Sequence, residues 1–360
     1  MRNQVTSRRT EIQLLSQLAL SGKEPDSVQE LACFDEPGRV KFARLAYDHH
    51  VVLRAFQPLH DAAVRLGAND LADWTARTLD SEKTRIANAL EFLDVICGEL
   101  ERAGCPVTVM KSLDHWPDIG NDLDLFTTAC REEISSVLYK AFKAQAQPRS
   151  WGDRLADKCN YRIPGLRASV EVHHSRLGQT GEHRSLATRF MTRRIPVRFG
   201  SYTFFLPAPE ERIIAATLQR MYRHVYVRVC DVANTAGLVD RDAINYCELK
   251  TAAELGAIWP GVASYLKIVS DYIRTYRGTP LQLPPSVTDN ATIDGAALFV
   301  RGCWLRLPVF PGILLLYGRQ VSRFACRGDI PAVFRLSLLP PLASAAKLAC
   351  FVTGEPRGIW

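Results

Sequence analysis

The sequence predicts an α+β protein, a small mixed-sheet core flanked by N-terminal and C-terminal helical regions. Three observations point there. Apolar residues recur at helical spacing through residues 1–104. The period then shortens, with β-rich or alternating runs at 106–110, 122–126, 157–163 and 168–174. From Pro207 the helical period returns. The expected organisation is a helical region over 1–104, an α+β core over 105–206, a helical region over 207–280, and an apolar, basic region over 289–360.

Each element has its own signal. Residues 27–34, 39–66 and 71–100 read as helices, with Asn69-Asp70 as a cap for the last and Gly104 as its stop. The runs 106–110 and 122–126 read as strands, and 131–145 as a helix. The runs 157–163 and 168–174 alternate around Pro164-Gly165, a turn signal, and so form a hairpin. Residues 207–226 open with Pro and Glu, as a helix start should, and further helices follow over 227–240 and 240–257. Residues 281–285, with Pro284 and Pro285, read as a linker.

Composition bounds the function classes. With 360 residues, 47% hydrophobic and 23% charged, the chain is an ordinary globular one, which excludes disorder, collagen and a small disulfide scaffold. The net charge of +7 permits an anionic partner without requiring a nucleic acid. None of the ten cysteines falls in a C-x-x-C spacing, so they read as scattered reduced thiols. The first twenty residues lack the apolar core and cleavage site of a signal peptide, and a cytoplasmic location is expected. Residues 296–317 are apolar but interrupted by Arg301, Arg306, Pro308 and Pro311, a poor spanning helix. Residues 290–360 carry eight Arg or Lys against three acids. That composition fits either contact with anionic lipid or packing on the helices. Packing is favoured, because Pro308, Pro311, Pro340 and Pro341 break the apolar runs.

The chemistry concentrates in residues 107–128. Lys111-Ser112 follows the first strand, and Asp122 and Asp124 begin the next at i and i+2, on one face of the strand. Two such carboxylates repel unless a cation lies between them, and Mg²⁺ favours a few carboxylates plus phosphate oxygens. Removing one should relieve that repulsion in the metal-free protein. Glu171, on the second strand of the hairpin, joins them if that strand pairs beside the Asp strand, and two metals could then clamp a displacement at phosphorus. Asp114 and Asp118 read as loop or capping residues, with an approach to the metal as the alternative for either. His173 shares the face of Glu171, and His174 points away. His49-His50 read as surface or packing residues. Arg220, Arg223, His224 and Arg228 form a basic cluster, with a solvated and a substrate-facing reading both open. Trp151, Tyr161 and Tyr222 read as core residues, with base stacking as the alternative.

This layout resembles the nucleotidyltransferase superfamily with the DNA polymerase β-like fold. More narrowly, it is similar to the uncharacterised nucleotidyltransferase family of bacterial biosynthetic clusters, on Lys111, the Asp122-x-Asp124 pair, Glu171-Val172-His173 and Cys230-Asp231. The likeness covers roughly residues 105–245. The chain departs from the narrower family at Ser112, where that family has Gly, and in lacking an Arg between residues 116 and 121. The resemblance implies transfer of a nucleoside monophosphate from a nucleoside triphosphate to a small-molecule or peptide acceptor, with Mg²⁺ or Mn²⁺. It implies Asp122, Asp124 and Glu171 as metal ligands and catalytic residues, and Lys111, Ser112 and Asn121 as nucleotide-binding residues. Two rivals remain. One is a non-catalytic module that binds a nucleotide or partner, and the other a tRNA-modifying nucleotidyltransferase. The second is not favoured, because the basic excess lies away from the acids.

Overall fold

The structure is a computed structural model and describes residues 2–21, 28–342 and 344–345. The end of the apolar, basic region, residues 346–360, lies outside the described residues.

Five helices come first: α1 (Arg2–Leu20), α2 (Val28–Ala32), α3 (Glu36–Asp48), α4 (Val52–Arg65) and α5 (Asn69–Arg102). At 34 residues, α5 runs about 50 Å at 1.5 Å per residue. Its cap differs from expectation. Ala68 is the N-cap and makes no side-chain bond, while Asn69 and Asp70 lie in the first turn. Gly104 does end the helix, with φ at +75°.

The core follows: β1 (Val107–Met110), β2 (Asp122–Thr127), α6 (Arg131–Phe142), β3 (Gln145–Ala146), α7 (Trp151–Leu155), β4 (Lys158–Arg162) and β5 (Ser169–His174). The strands form one mixed sheet in the order β1-β2-β5-β4-β3. β2 and β5 are parallel, with Asp124 opposite Glu171, and every other pair is antiparallel. The alternation of strand side chains then decides the layers. Val107, Val109, Leu123, Leu125, Val170 and Val172 bury against Leu90, Leu93 and Ile96 of α5 and Ile134 and Leu138 of α6. The opposite face presents Met110, Asp124, Phe126, Glu171 and His173. There Met110 and Phe126 join a second apolar core.

That second core is made by helices from both ends of the chain. After α8 (Arg184–Thr192) and the hairpin β6 (Arg194–Phe199) and β7 (Tyr202–Pro207) come α9 (Pro209–Gln219), β8 (Tyr226–Val227), α10 (Val229–Asp240), α11 (Tyr246–Leu255), α12 (Trp259–Arg277) and α13 (Pro285–Thr288). Ile213, Val232, Val262 and Leu266 share one buried cluster with Leu15, Phe42 and Phe56 of the first helices. The segment 281–285 packs too, since Leu281 is buried and its N–H donates to Ser270 Oγ.

Residues 207–226 do not form one helix. α9 stops at Gln219, a wide turn of π-helix spans Arg220–His224, and Val225 takes φ of +56° before β8. β8 pairs with β10 (Trp304–Arg306), which in turn pairs with β9 (Phe299–Arg301). The partner strand lies about eighty residues downstream, so local periodicity carried no sign of it. The chain closes with α14 (Leu314–Cys326) and α15 (Ile330–Ser337). No helix among the described residues is long and apolar enough to cross a membrane.

Candidate functional site

The loop between β1 and β2 is held from outside itself. Lys111 turns the chain at φ of +54°, an uncommon conformation for a side-chain-bearing residue. Ser112 is buried, and its Oγ donates to Asp122 O at 2.9 Å and accepts from Asp124 N at 2.8 Å. The hydroxyl thus fixes the start of β2. Asp118 caps α4, accepting from Leu53 N at 2.7 Å and Arg54 N at 3.3 Å. Burial pushes its carboxyl up to about 7 against those bonds. Arg54 donates to the Trp116 carbonyl, and Arg85 donates to Ile119 O at 2.9 Å and Gly120 O at 3.1 Å. The sequence lacks an arginine in this loop, yet two arginines from the N-terminal helices grip its backbone.

On β2 and β5 the carboxylates meet cations. Lys111 Nζ lies 2.7 Å from Asp124 Oδ1, and Lys158 Nζ lies 2.7 Å from Glu171 Oε2. His173 Nε2 is 2.8 Å from Glu171 Oε1 and 3.4 Å from Asp124 Oδ1. Burial alone would raise both carboxyls. For Asp124, Lys111 and His173 outweigh it, and the net is below the ordinary value. For Glu171, His173, Lys111 and Lys158 hold the carboxyl well below. Asp122 behaves differently. It accepts from Ser169 Oγ at 2.5 Å, and its carboxyl is raised by burial, with repulsion from Asp124 and Glu171 adding to the rise.

Among the described residues, the group able to hold a cation is Asp124, Glu171 and His173, whose donor atoms all lie within 4.8 Å of one another. Two carboxylate oxygens and an imidazole fit Mn²⁺ better than Mg²⁺, because Mg²⁺ takes oxygen ligands almost throughout. Asp122 lines the same cleft, with Lys111, Ser112 and Asn121. The role of His173 was weighed from its face of the strand, but the lysine across the hairpin, Lys158, was not.

Facing the acids is a basic wall. Arg220, Arg223, His224, Tyr226 and Arg228 line the same cleft, of about 250 Å³. The basic cluster thus faces the site. Arg220 is 1% exposed, and its Nε is 2.6 Å from Asp231 Oδ2, while its Nη1 has no hydrogen-bond partner. Arg228 donates to His50 Nε2 at 2.5 Å, which requires a neutral imidazole there. Burial, helped by His115 and Arg228, depresses His50 accordingly. His115 stacks on His50 at 5.1 Å and is lowered to about 3 by burial. His49 is buried as well, and its Nδ1 accepts from Val229 N while Nε2 donates to Cys303 O. The two adjacent histidines are thus interior packing groups, not surface ones.

The remaining candidates separate. Asp114 pairs with Arg212 at 2.6 Å. His174 lies off the site and contacts Ala129 O. Tyr161 is core, bonded to Ser135. Tyr222 packs on Gly261, where a Cβ would come within 2.4 Å of its hydroxyl. Trp151, expected in the core, is 69% exposed, because it opens α7 at the sheet margin.

Fold and site together define an α+β protein with an acidic, cation-capable sheet face opposite an arginine wall. No protein-family model matches the chain. No curated protein matches it either. Among solved structures, it is similar to an antigenic nucleotidyltransferase-like protein from Paracoccidioides brasiliensis, at 18% identity and a TM-score of 0.31, over 49% of this chain and 91% of that one.

Proposed function

We propose that the protein is a metal-dependent nucleotidyltransferase acting on a small-molecule or peptide acceptor. The observation that carries the reading is the register of two parallel strands. It sets Asp124 beside Glu171 and His173, across a cleft from arginines with unmet hydrogen-bonding capacity. A divalent cation held there would neutralise triphosphate charge and lower the acceptor's pKa. Arg223 and Arg228 would bind phosphate oxygens, supplying the charge that the loop before Asp122 lacks. Ser112 acts as a positioning residue by fixing Asp124, and Asn121 lines the nucleotide side of the cleft. The acceptor oxygen bonds to the α-phosphorus, the α–β phosphoanhydride bond breaks, and pyrophosphate leaves. The acceptor's proton leaves to solvent.

One observation favours a second reading, a non-catalytic nucleotide-binding module. Lys111 and Lys158 already neutralise Asp124 and Glu171 at 2.7 Å each, so the acids are satisfied without a cation. Calorimetry with Mn²⁺ or Mg²⁺, alone and with a non-hydrolysable triphosphate, separates the readings when paired with a pyrophosphate-release assay. Transfer requires metal binding that tightens with the triphosphate, together with release. Triphosphate binding that is independent of metal and gives no release would establish the module instead.

A further inference from the structure

The C-terminal helices bury one side and expose large apolar side chains on the other. Toward the body, Phe324, Ala332 and Leu336 form a small buried cluster with Ala257. Arg335 donates to Thr180 O at 2.5 Å and Leu155 O at 3.1 Å, and Gln320 to Gly256 O at 3.3 Å. The packing expected of this region is therefore present on that side. Away from it, Phe310 is 78% exposed, Ile330 66%, Phe334 64%, Leu315 58% and Leu314 51%. These are large side chains on elements fixed to the body, not on free loops.

The charge around them is mainly positive. Residues 299–342 contain six arginines and a single acid, Asp329, whose carboxylate accepts from Ala332 N at the cap of α15. Arg301 and Arg319 are exposed, and their side chains make no hydrogen bond or ion pair among the described residues. The chain continues beyond them with Phe351, Ile359 and Trp360, and with Lys347 and Arg357 against Glu355 alone. Arg323 and Arg327 pair with Glu254 at 3.2 and 3.4 Å, which leaves Arg301 and Arg319 without an acid partner. Exposed apolar side chains beside those two arginines complement an anionic bilayer surface, where acyl chains take the first and lipid headgroups the second. A partner protein of ordinary surface composition would instead offer mixed charge.

We propose that the outer side of α14–α15 is a peripheral docking surface for anionic membrane, independent of the chemistry in the cleft. Contact is peripheral because no described helix is long and apolar enough to cross. The test is flotation of the full-length protein with vesicles of phosphatidylcholine alone or with about 30% phosphatidylserine. At least about tenfold enrichment is expected with the anionic vesicles only, falling steeply as salt rises. Phe310→Ser with Phe334→Ser, and separately Arg319→Glu, should each reduce it about tenfold at an unchanged thermal midpoint, since all three side chains are exposed. Hydrogen exchange on the unsubstituted protein gives a readout independent of the variants, with anionic vesicles slowing exchange in residues 309–337. The proposal fails if neither vesicle floats the protein, or if the variants float as well as the parent. It also fails if sedimentation shows a dimer that Phe310→Ser dissolves, which would make a second copy the occupant.

Discussion

On the sheet side of the cleft, Asp124 and Glu171 each have an ammonium at 2.7 Å. On the opposite side, the Arg223 side chain makes no hydrogen bond or ion pair among the described residues, and Arg220 Nη1 is buried without a hydrogen-bond partner. Both walls are crowded with charge, but Asp124 and Glu171 are each paired, whereas on the arginine wall Arg220 has Asp231 and Arg223 has no acid partner among the described residues. A balanced wall exchanges one cation for another, Lys for metal. An unbalanced wall awaits an anion. Under the proposed function, the difference assigns ligand binding to the arginine side and stability to the acidic side.

The largest effect should come from Asp124→Asn. It removes the partner of Lys111 and a member of the cation-holding group, so pyrophosphate release should fall more than about 100-fold. The sequence alone argued that losing a carboxylate relieves repulsion. With Lys111 and His173 in contact, the same change instead strands a mostly buried ammonium. The expected cost is about 3 kcal/mol, read from denaturant unfolding. An unchanged or raised midpoint would mean that the lysine pairing does not stabilise this wall.

Arg223→Ala tests the other wall. Triphosphate affinity should drop about tenfold or more, the scale of a charge-assisted hydrogen bond, with the thermal midpoint unchanged because no internal partner is lost. A fall in stability with no change in affinity would make Arg223 structural.

The histidines behind the arginine wall set a pH dependence. His49 is lowered to about 4 and His115 to about 3, both chiefly by burial, against about 6.5 when unfolded. The unfolded chain therefore takes up their protons first. Their contribution is complete above pH 6.5 and is lost as pH falls from there toward 4. Asp118 opposes this, since its raised carboxyl binds a proton in the folded state from about pH 7 downward. Two histidines outweigh one aspartate, so the midpoint should fall between pH 6.5 and 4.5. His115→Asn should flatten the fall, and an identical slope would exclude His115 as a contributor.

The smallest effect should be Asp122→Asn. Asp122 is bonded to Ser169 and stands outside the cation-holding group. Its carboxyl is raised by burial and then by its acidic neighbours. Turnover should fall by about tenfold rather than 100-fold, and the midpoint should hold or rise slightly. A loss equal to that of Asp124→Asn would put Asp122 among the ligands.

How much of this was legible follows from where each signal lies. Strands β1 and β2, helix α6 and the β4–β5 hairpin were readable, because alternation and turn residues are local, whereas β3, β6, β7, β9 and β10 were not read. The acids were readable because Asp122 and Asp124 are two residues apart on one strand, and Glu171 stands on a recognisable partner. Lys158 was not, since its role depends on crossing the hairpin to Glu171. The break at Arg220 was not readable either, because β8 exists only through β10, far along the chain.

By itself, the sequence determined the α+β class and the order of elements through β1, β2, α6, β4 and β5, and it named the candidate acids. Tertiary structure alone decided that β2 and β5 run parallel and in register, and that Arg54 and Arg85 hold the loop. It also decided that residues 220–228 face the acids and that Lys111 and Lys158 neutralise them. Periodicity and turn chemistry act over a few residues, whereas charge compensation acts between groups that only folding brings within 3 Å.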